Sequence, residues 1–332
     1  MKSTLPTVTV IMPVLNEAAV IRASLRAVLN QDYPANRLEI LVVDGGSTDE
    51  TRTVVQEMIG NRPLARLLDN PQQIQAEALN IGILAAQGEI IVRVDGHTLI
   101  APNYVSQCVD YLVQGKADNV GGLMHPVGTT YVGRAVALAM SSPFGAGDAK
   151  FHYSAREQYV DTVYLGAYWR KTFELIGFYD PAVHINEDYE LNYRLRQAGG
   201  KILLSPAIQS TYSPRASFPA LWRQYFIYGR QKVRTLQKYP KSLRWRQAVA
   251  PGLVGAFLGT LMGGFFWKPF RSLFGLLAGC YLLANLVAST IGARRGGWRY
   301  LPVLPFIYAT IHFAWGLGFW FGLALVILKP KQ

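Results

Sequence analysis

Polar residues able to handle a phosphorylated ligand stand where apolar segments of the sequence end. The clearest case is RVDGH at residues 93–97, where Asp95 and His97 are two residues apart. An aspartate and a histidine at this spacing can meet one divalent cation, which would neutralise a departing diphosphate. An imidazole ligand is compatible with Mn²⁺ and less typical of Mg²⁺. The alternative interpretation of Asp-Gly-His is a turn without metal.

Two earlier clusters offer groups that bind nucleotides. PVLNE occupies residues 13–17, and DGGSTDET occupies residues 44–51. An acid followed by two glycines and small hydroxyl residues predicts a polar pocket. Asp44 would accept hydrogen bonds there from a base N–H or a ribose hydroxyl. The alternative is a plain turn, with Ser47 or Thr48 as the N-cap of the next helix.

A fourth cluster, NED at residues 186–188, opens a helical stretch predicted over residues 189–198. Asp188 is the candidate general base, because a positioned carboxylate can take a proton from a hydroxyl. The alternative is structural: Asn186 caps the helix, and acids in the first turn favour its dipole. The two interpretations are compatible, since a helix start fixes a carboxylate in place.

These clusters follow predicted strands of an α/β fold. Buried strands are predicted at residues 8–12, 38–43, 89–94 and 119–124, and helices at residues 18–30, 49–59, 75–86 and 104–114. Alternating strands and helices indicate βαβ units and a mostly parallel sheet. Ligands of such sheets bind at the carboxyl ends of the strands, where the clusters lie.

The chain changes character after residue 247. Residues 248–267, 272–293 and 302–328 carry no charge. Each segment is long enough to cross a hydrocarbon core of roughly 30 Å as a helix. We predict about three transmembrane helices. A buried helical subdomain is one alternative, and a re-entrant hairpin of the first two segments is another.

Basic residues set the predicted orientation, because basic loops stay in the cytoplasm. They precede the first segment and separate the second from the third: Lys241, Arg244, Arg246, Arg294, Arg295 and Arg299. The first half of the chain is then cytoplasmic, on a multi-pass protein of a bacterial inner membrane. Two distant cysteines, with neither zinc nor disulfide spacing, fit that reducing compartment.

A segment between the two halves, residues 217–246, interleaves aromatic and basic residues. This mixture is typical of a helix in the lipid headgroup layer. We therefore assign the net charge of +12 to contact with lipid or a diphosphate-bearing acceptor, and not to nucleic acid. Three parts follow: a catalytic domain at 1–214, interfacial helices at 215–247 and a transmembrane region at 248–332.

Taken in order, the four clusters resemble the family 2 glycosyltransferases, which have the GT-A fold, a Rossmann-like α/β architecture. The resemblance covers about residues 6–210, and NIGI with AQGEI in residues 80–90 looks like the family's approach to its metal motif. This chain departs from the family where His97 replaces a second acid. The Asp-small-His version resembles the succinoglycan-type exopolysaccharide glucosyltransferases, which implies UDP-glucose as donor.

The resemblance implies a role for each matching residue. Asp188 would be the general base, and Asp95 with His97 would bind Mn²⁺ or Mg²⁺. The residues implied to hold the nucleotide sugar are Pro13, Asn16, Glu17, Asp44, Ser47, Asp49, Asp95, Gly121, Gly122 and Glu187.

The implied reaction is an inverting transfer from a UDP-sugar to a polyprenyl-diphosphate-linked glycan, in exopolysaccharide biosynthesis at the membrane. Three alternatives stay open. One is transfer directly to polyprenyl phosphate. A processive synthase is disfavoured because Lys241 stands where its Q-x-x-R-W motif has Gln. A non-catalytic, nucleotide-binding membrane scaffold belongs to another class.

Overall fold

The computed structural model describes residues 5–183 and 185–328. Its strands are β1 Val8–Val14, β2 Leu38–Asp44, β3 Ala65–Asp69, β4 Ile90–Arg93, β5 Thr98–Ile100, β6 Asn119–Pro126, β7 Gln158–Tyr159, β8 Tyr164–Trp169 and β9 Ile202–Tyr212. Its α-helices are α1 Ile21–Leu29, α2 Thr51–Ile59, α3 Gln75–Ala85, α4 Tyr104–Val113, α5 Tyr131–Met140, α6 Pro143–Ala146, α7 Arg170–Ile176, α8 Glu187–Gln197, α9 Phe218–Lys238, α10 Trp245–Gly263, α11 Lys268–Gly296 and α12 Leu304–Leu328.

The chain divides into two compact units. Of the described residues, those within 1–125 and 153–212 form the first unit, and those within 126–152 and 213–332 form the second. The division differs from the predicted boundary at residue 214 because the segment 126–152 packs with the C-terminal helices. Leu138 of α5, for example, fills the space where Gly296 of α11 lacks a side chain.

The first unit is built on one sheet. Nine strands of the described residues form it in the order β3-β2-β1-β4-β8-β6-β9-β5, with β7 beside β9. β1 pairs in parallel with β2 and β4, whereas β8 runs antiparallel to β4 and β6. All seven residues of β1 and of β2 are buried, as a continuous apolar sequence predicts for central parallel strands. The predicted α/β fold is confirmed.

Helix α1 shows how the helices cover this sheet. Its buried residues Ile21, Ser24, Leu25 and Val28 recur at helical spacing and form one apolar face. The predicted start at residue 18 was too early. The carbonyl of Glu17 first accepts the N–H groups of Val20 and Ile21 in a separate turn.

In the second unit, α9 and α12 run side by side in the same direction. Glycines allow the contact: a Cβ on Gly229 of α9 would lie 2.1 Å from the Trp315 carbonyl oxygen, and one on Gly318 would lie 2.1 Å from that of Phe226. Further along, Gly322 faces the backbone of Arg230. From the Phe226–Gly318 contact to the Arg230–Gly322 contact the residue number rises by four on each helix, so the pair is parallel. Small residues four apart on one helix permit this close packing.

We expect Gly318→Val to separate α9 from α12 and to destabilise the protein by about 1–3 kcal/mol, since an added side chain has no space there. Thermal unfolding of the purified protein in detergent would measure the loss. Gly279→Val on α11 is the matched control, because a Cβ at Gly279 meets nothing within 4 Å. Equal unfolding temperatures for the two variants would contradict the close contact.

Among the described residues, two helices are long and apolar enough to cross a membrane, Lys268–Gly296 and Leu304–Leu328. Length and composition are the only evidence for crossing. The first of the three predicted segments lies mostly in α10, which is not among the helices that are long and apolar enough to cross. Its 19 residues include Arg246 and Gln247 near the start, and these lower its hydropathy.

Candidate functional site

Side-chain hydrogen bonds join the ends of β1 and β2. Asn16 has a left-handed backbone with φ of 54°. Its backbone N–H donates a hydrogen bond to Ser47 Oγ at 2.9 Å. Asn16 Oδ1 accepts the backbone N–H of Thr48 at 2.8 Å. Helix α2 begins at Thr51 with Glu50 at its N-cap, so the alternative in which Ser47 or Thr48 caps it is wrong. Both residues instead hold two loops together.

Asp44 is the last residue of β2 and is buried. Its carboxylate accepts a hydrogen bond from Ser47 Oγ at 2.5 Å and another from Arg52 Nη1 at 3.0 Å. The same Arg52 nitrogen donates to Asp69, at the end of β3, at 2.5 Å. The carboxylate predicted to bind a nucleotide is therefore held in place by its own loop and by a cation.

Asp49 fastens the loop that carries Glu17. Its Oδ2 accepts the backbone N–H of Ala18 at 3.1 Å, and its Oδ1 accepts Thr51 Oγ1 at 2.5 Å. The hydrogen bond from Thr51 lowers the pKa of Asp49 below its ordinary value, so the carboxylate stays ionised. The backbone N–H of Glu17 also donates to Thr51 Oγ1, at 2.8 Å. This geometry gives Asp49 an ordering role, and donor contact stays a prediction.

Asp95 follows β4 and is buried. Its Oδ1 accepts Arg93 Nε at 2.8 Å, and its Oδ2 accepts the Tyr164 hydroxyl at 3.2 Å. Burial alone would raise the pKa of Asp95. The charge of Arg93 and its hydrogen bond outweigh that effect, so the pKa lies below its ordinary value. Asp95 is therefore an anion, as a metal ligand must be.

His97 lies half-exposed beside Glu17. Its Nδ1 is 2.9 Å from Glu17 Oε1, which joins two residues predicted to contact the donor. The charge of His97 also contributes to lowering the pKa of Asp95, so the two side chains are electrostatically close. Glu17, Asp95 and His97 therefore belong to one polar site. Direct binding of a metal by His97 stays a prediction.

Arg93 is the centre of this site. Its Nε donates to Asp95, its Nη2 lies 3.0 Å from Glu187, and its Nη1 forms a short ion pair with Asp188. The side chain is only 5% exposed, and the two partners from α8 approach it from the helix start. A planar guanidinium can serve three carboxylates because its donors point in fixed, different directions.

The pKa of Asp188 lies above its ordinary value, whereas that of Asp95 lies below it. Burial raises the pKa of Asp188 to about 7, and the neighbouring charges of Glu187 and Asp95 act in the same direction. Arg93 opposes this rise without cancelling it. The carboxyl group can therefore take up and release a proton near neutral pH, as a general base requires.

The start of α8 positions Asp188 in an unexpected way. Asn186 is at the predicted N-cap, but its φ of 67° is left-handed and its side chain makes no capping hydrogen bond. The predicted side-chain cap is therefore wrong. Glu187, Asp188 and Glu190 do stand in the first turn, where negative charge favours the helix dipole.

Three predicted donor-binding residues lie buried in strands. Pro13 faces Val43 in the parallel ladder of β1 and β2. Gly121 and Gly122 are in β6, where a Cβ on Gly122 would lie 1.9 Å from the Ile208 carbonyl oxygen. Close approach of a neighbouring backbone accounts for that glycine. Donor contact by these three residues stays a prediction.

The donor set fits a metal ion that is shared with a substrate diphosphate. Within the described residues, no group of three His, Cys, Asp or Glu side chains is placed to hold a metal alone. Mg²⁺-type sites commonly use one or two carboxylates and take their other oxygens from phosphate and water. Asp95, as a buried anion, supplies such a carboxylate.

Sequence reasoning did not predict that Arg93 and Tyr164 contact Asp95 directly. A signal for Arg93 was present, because a charged residue interrupts the apolar sequence EIIVRVD. An arginine inside a buried strand needs acidic partners. Tyr164 offered no such signal, because its contact depends on the pairing of β8 with β4.

This chain resembles known proteins along almost its whole length. A family model described as "Glycosyl transferase family 2" matches residues 9–174. The succinoglycan biosynthesis protein ExoA of Rhizobium meliloti is 31% identical over 317 residues, which cover 94% of this chain and 93% of that protein. A Methanococcus voltae protein, dolichyl N-acetyl-alpha-D-glucosaminyl phosphate 3-beta-D-2,3-diacetamido-2,3-dideoxy-beta-D-glucuronosyltransferase, is 26% identical and covers 95% of this chain and 97% of that protein.

Among solved structures, the mannosyltransferase PcManGT of Pyrobaculum calidifontis, in complex with GDP-Man and Mn²⁺, superposes with a TM-score of 0.55. It is 22% identical, and the match covers 90% of this chain and 88% of that chain. At this identity the likeness concerns the fold alone. It confirms the predicted GT-A architecture.

Proposed function

Because the chain belongs to glycosyl transferase family 2, we propose that it is an inverting enzyme that moves a sugar from a nucleotide sugar to a lipid-linked glycan. The observation that carries the proposal is the Arg93 cluster, in which one cation joins the candidate metal ligand Asp95 to the candidate base Asp188. Such a transferase needs an anionic ligand for the metal ion that binds the leaving diphosphate, and it needs a base beside the acceptor hydroxyl. In this cluster Asp95 would be the ligand and Asp188 the base.

The mechanism assigns the proton to Asp188. The acceptor hydroxyl attacks the anomeric carbon from the side opposite the nucleotide and gives its proton to an Asp188 carboxylate oxygen. The bond from the anomeric carbon to the nucleotide oxygen breaks in the same displacement, so the configuration inverts. Arg93 holds Asp188 in position through an ion pair. General-base assistance of this kind contributes about 10²–10⁴-fold to rate.

Asp95, with His97 beside it, would hold a divalent ion, Mn²⁺ or Mg²⁺, which would neutralise charge on the departing diphosphate. Asp44, at the end of β2, would accept hydrogen bonds from the nucleotide. Glu17, ordered by Thr51, would contact the donor from the end of β1. Asn16, Ser47, Asp49 and Glu187 would shape and charge the same site, and Pro13, Gly121 and Gly122 would set the backbone around it.

The relatives guide the choice of substrates. ExoA is a succinoglycan biosynthesis protein, and the name of the M. voltae enzyme gives a dolichyl-phosphate-linked sugar as its acceptor. We assign UDP-glucose as donor, a polyprenyl-diphosphate-linked glycan as acceptor and exopolysaccharide assembly as the role. The M. voltae acceptor already carries a sugar, which favours this choice over bare polyprenyl phosphate.

We place the enzyme at the cytoplasmic face of a bacterial inner membrane, attached by its apolar helices. The two helices long enough to cross support attachment. Arg246 stands at the start of α10 and Arg294 near the end of α11, so both lie in the cytoplasm when these two helices cross as a pair, which favours a cytoplasmic catalytic unit.

A donor panel tests the proposal. We expect purified protein with Mn²⁺ and a lipid extract containing acceptor to release nucleotide from one UDP- or GDP-sugar. EDTA should abolish the release, and added Mn²⁺ or Mg²⁺ should restore it, because the anionic Asp95 would repel the departing diphosphate without a cation between them. Nucleotide binding without release from any donor would instead support the scaffold alternative.

The pH dependence of kcat tests the role of Asp188. Its pKa of about 7 means that the base form is scarce in acid and dominant in alkali. We expect kcat to rise about tenfold for each pH unit below 7 and to level off above it. A rate that stayed level from pH 5 to 8, with folding intact, would remove Asp188 as the titrating base.

A further inference from the structure

An open groove of about 730 Å³ runs along the second unit, within the size range of small-molecule sites. The start of α5, the N-terminal half of α9 and the N-terminal half of α12 form its walls. Aromatic side chains dominate, among them Phe218 and Trp222 from α9 and Phe306 and Phe313 from α12. None of the ten lining residues carries a charge.

The hydroxyls in the wall are already bound, so they do not require a polar occupant. Tyr131 donates its hydroxyl hydrogen to the Arg299 carbonyl oxygen, and Thr310 donates to the Phe306 carbonyl oxygen at 2.7 Å. Filling this groove therefore costs no lost hydrogen bond at either residue. The walls fit a hydrocarbon chain.

One end of the groove is cationic. The Tyr131 ring stacks on Tyr300 with centroids 5.2 Å apart, and the Arg299 guanidinium carbon lies 4.9 Å from the Tyr300 centroid. The other end, at Phe313 and Leu317, lies along the apolar length of α12. An occupant with an anionic head and a long apolar tail would match this gradient.

The C-terminal part of the second unit is rich in basic residues and has no acids. From Ser213 to Gln332 the sequence has no Asp or Glu, while it holds 16 of the chain's 33 Lys and Arg residues. The acid of the unit's earlier segment, Asp148, is paired with Arg246 at 2.8 Å. The surroundings of the groove therefore attract anions and offer little to repel them.

We propose that this groove holds the isoprenoid chain of a polyprenyl-diphosphate-linked acceptor, with the diphosphate at the Arg299 end and the chain directed toward Leu317. The inference rests on the proposed function for the identity of the acceptor. It adds a binding site for the lipid part of that acceptor, which is separate from the carboxylates that perform the transfer.

Photolabelling of the full-length protein in neutral detergent tests the site without turnover. A diazirine-tagged undecaprenyl diphosphate should label peptides that contain residues 218–222 and 302–317. Excess undecaprenyl diphosphate should displace it, whereas phosphatidylglycerol and inorganic diphosphate should not. Equal displacement by phosphatidylglycerol would show a surface for bulk anionic lipid and overturn the proposal, as would displacement by inorganic diphosphate alone.

Two substitutions and one control variant sharpen the test. Ala309→Trp fills the groove and should lower labelling about tenfold or more, whereas Ala284→Trp on the exposed face of α11 should not. Arg299→Gln should weaken labelling by the diphosphate probe about fivefold and leave labelling by a tagged polyprenol unchanged. Full labelling of the Ala309→Trp variant would overturn the site.

The donor assay separates this proposal from the proposed function. Nucleotide release from a sugar donor with no specific labelling would overturn the groove and leave the transferase intact. Specific labelling without release from any donor would overturn the transferase and leave the groove as a lipid site.

Discussion

Replacement of Asp188 by Asn is expected to lower kcat by about 10²–10⁴-fold while nucleotide binding stays unchanged. Asparagine has nearly the same shape but cannot accept the acceptor's proton. Folding stability should hold or increase, because the carboxylate is an unfavourable charge in its surroundings, as its raised pKa indicates. Initial-rate kinetics with the preferred donor, together with thermal unfolding, would separate the two effects.

The control for this variant is Asp110→Asn, which changes an exposed acid of α4 in the same way. We expect its kcat to match that of the unmodified protein. If Asp188→Asn retained most of its activity, or lost activity only through unfolding, another group would have to be the base.

Replacement of Arg93 by Met should cost about 3–5 kcal/mol of unfolding free energy, because three carboxylates would lose their shared cation while buried. Lysine should rescue little, since a single ammonium group cannot reproduce the three directed hydrogen bonds. Adding Glu187→Gln to Arg93→Met should restore part of the loss by removing one unpaired charge. Urea unfolding of the variants would supply these free energies.

An exposed ion pair supplies the contrast. Arg22 and Glu57 are 3.1 Å apart with both side chains more than half exposed, and such pairs contribute about 0–1 kcal/mol. Arg22→Met should therefore hardly change stability. Similar losses for Arg93→Met and Arg22→Met would mean that the Arg93 cluster does not stabilise the fold.

The central strands and the site clusters were predictable from the sequence because they depend on local pattern. β1 and β2 begin where predicted, at Val8 and Leu38, since a short apolar run bounded by polar residues indicates a buried strand. The position of Asp95 after β4 follows from the same pattern. Parallel pairing then brings such strand ends to one edge of the sheet.

What sequence reasoning missed depends on pairings between distant segments. The need for glycine at residue 122 comes from Ile208, and the role of Arg93 comes from α8. The contact of α9 with α12 is of the same kind. Hydropathy described α12 as a helix able to cross the bilayer alone, and could not reveal that α9 packs along it.

That parallel pair has a consequence for how deeply the chain can enter a bilayer. Backbone contacts of Phe226 with Gly318 and of Arg230 with Gly322 prevent α12 from changing its tilt independently of α9. α9 carries five cations, Arg223, Arg230, Lys232, Arg234 and Lys238. At the bilayer centre each would cost about 2.5–3.5 kcal/mol. We therefore expect the pair to lie near the membrane surface and strongly tilted. Bilayer thickness distributes proteins among membranes by the length of helices that cross upright, so it would have little influence on where α12 is found.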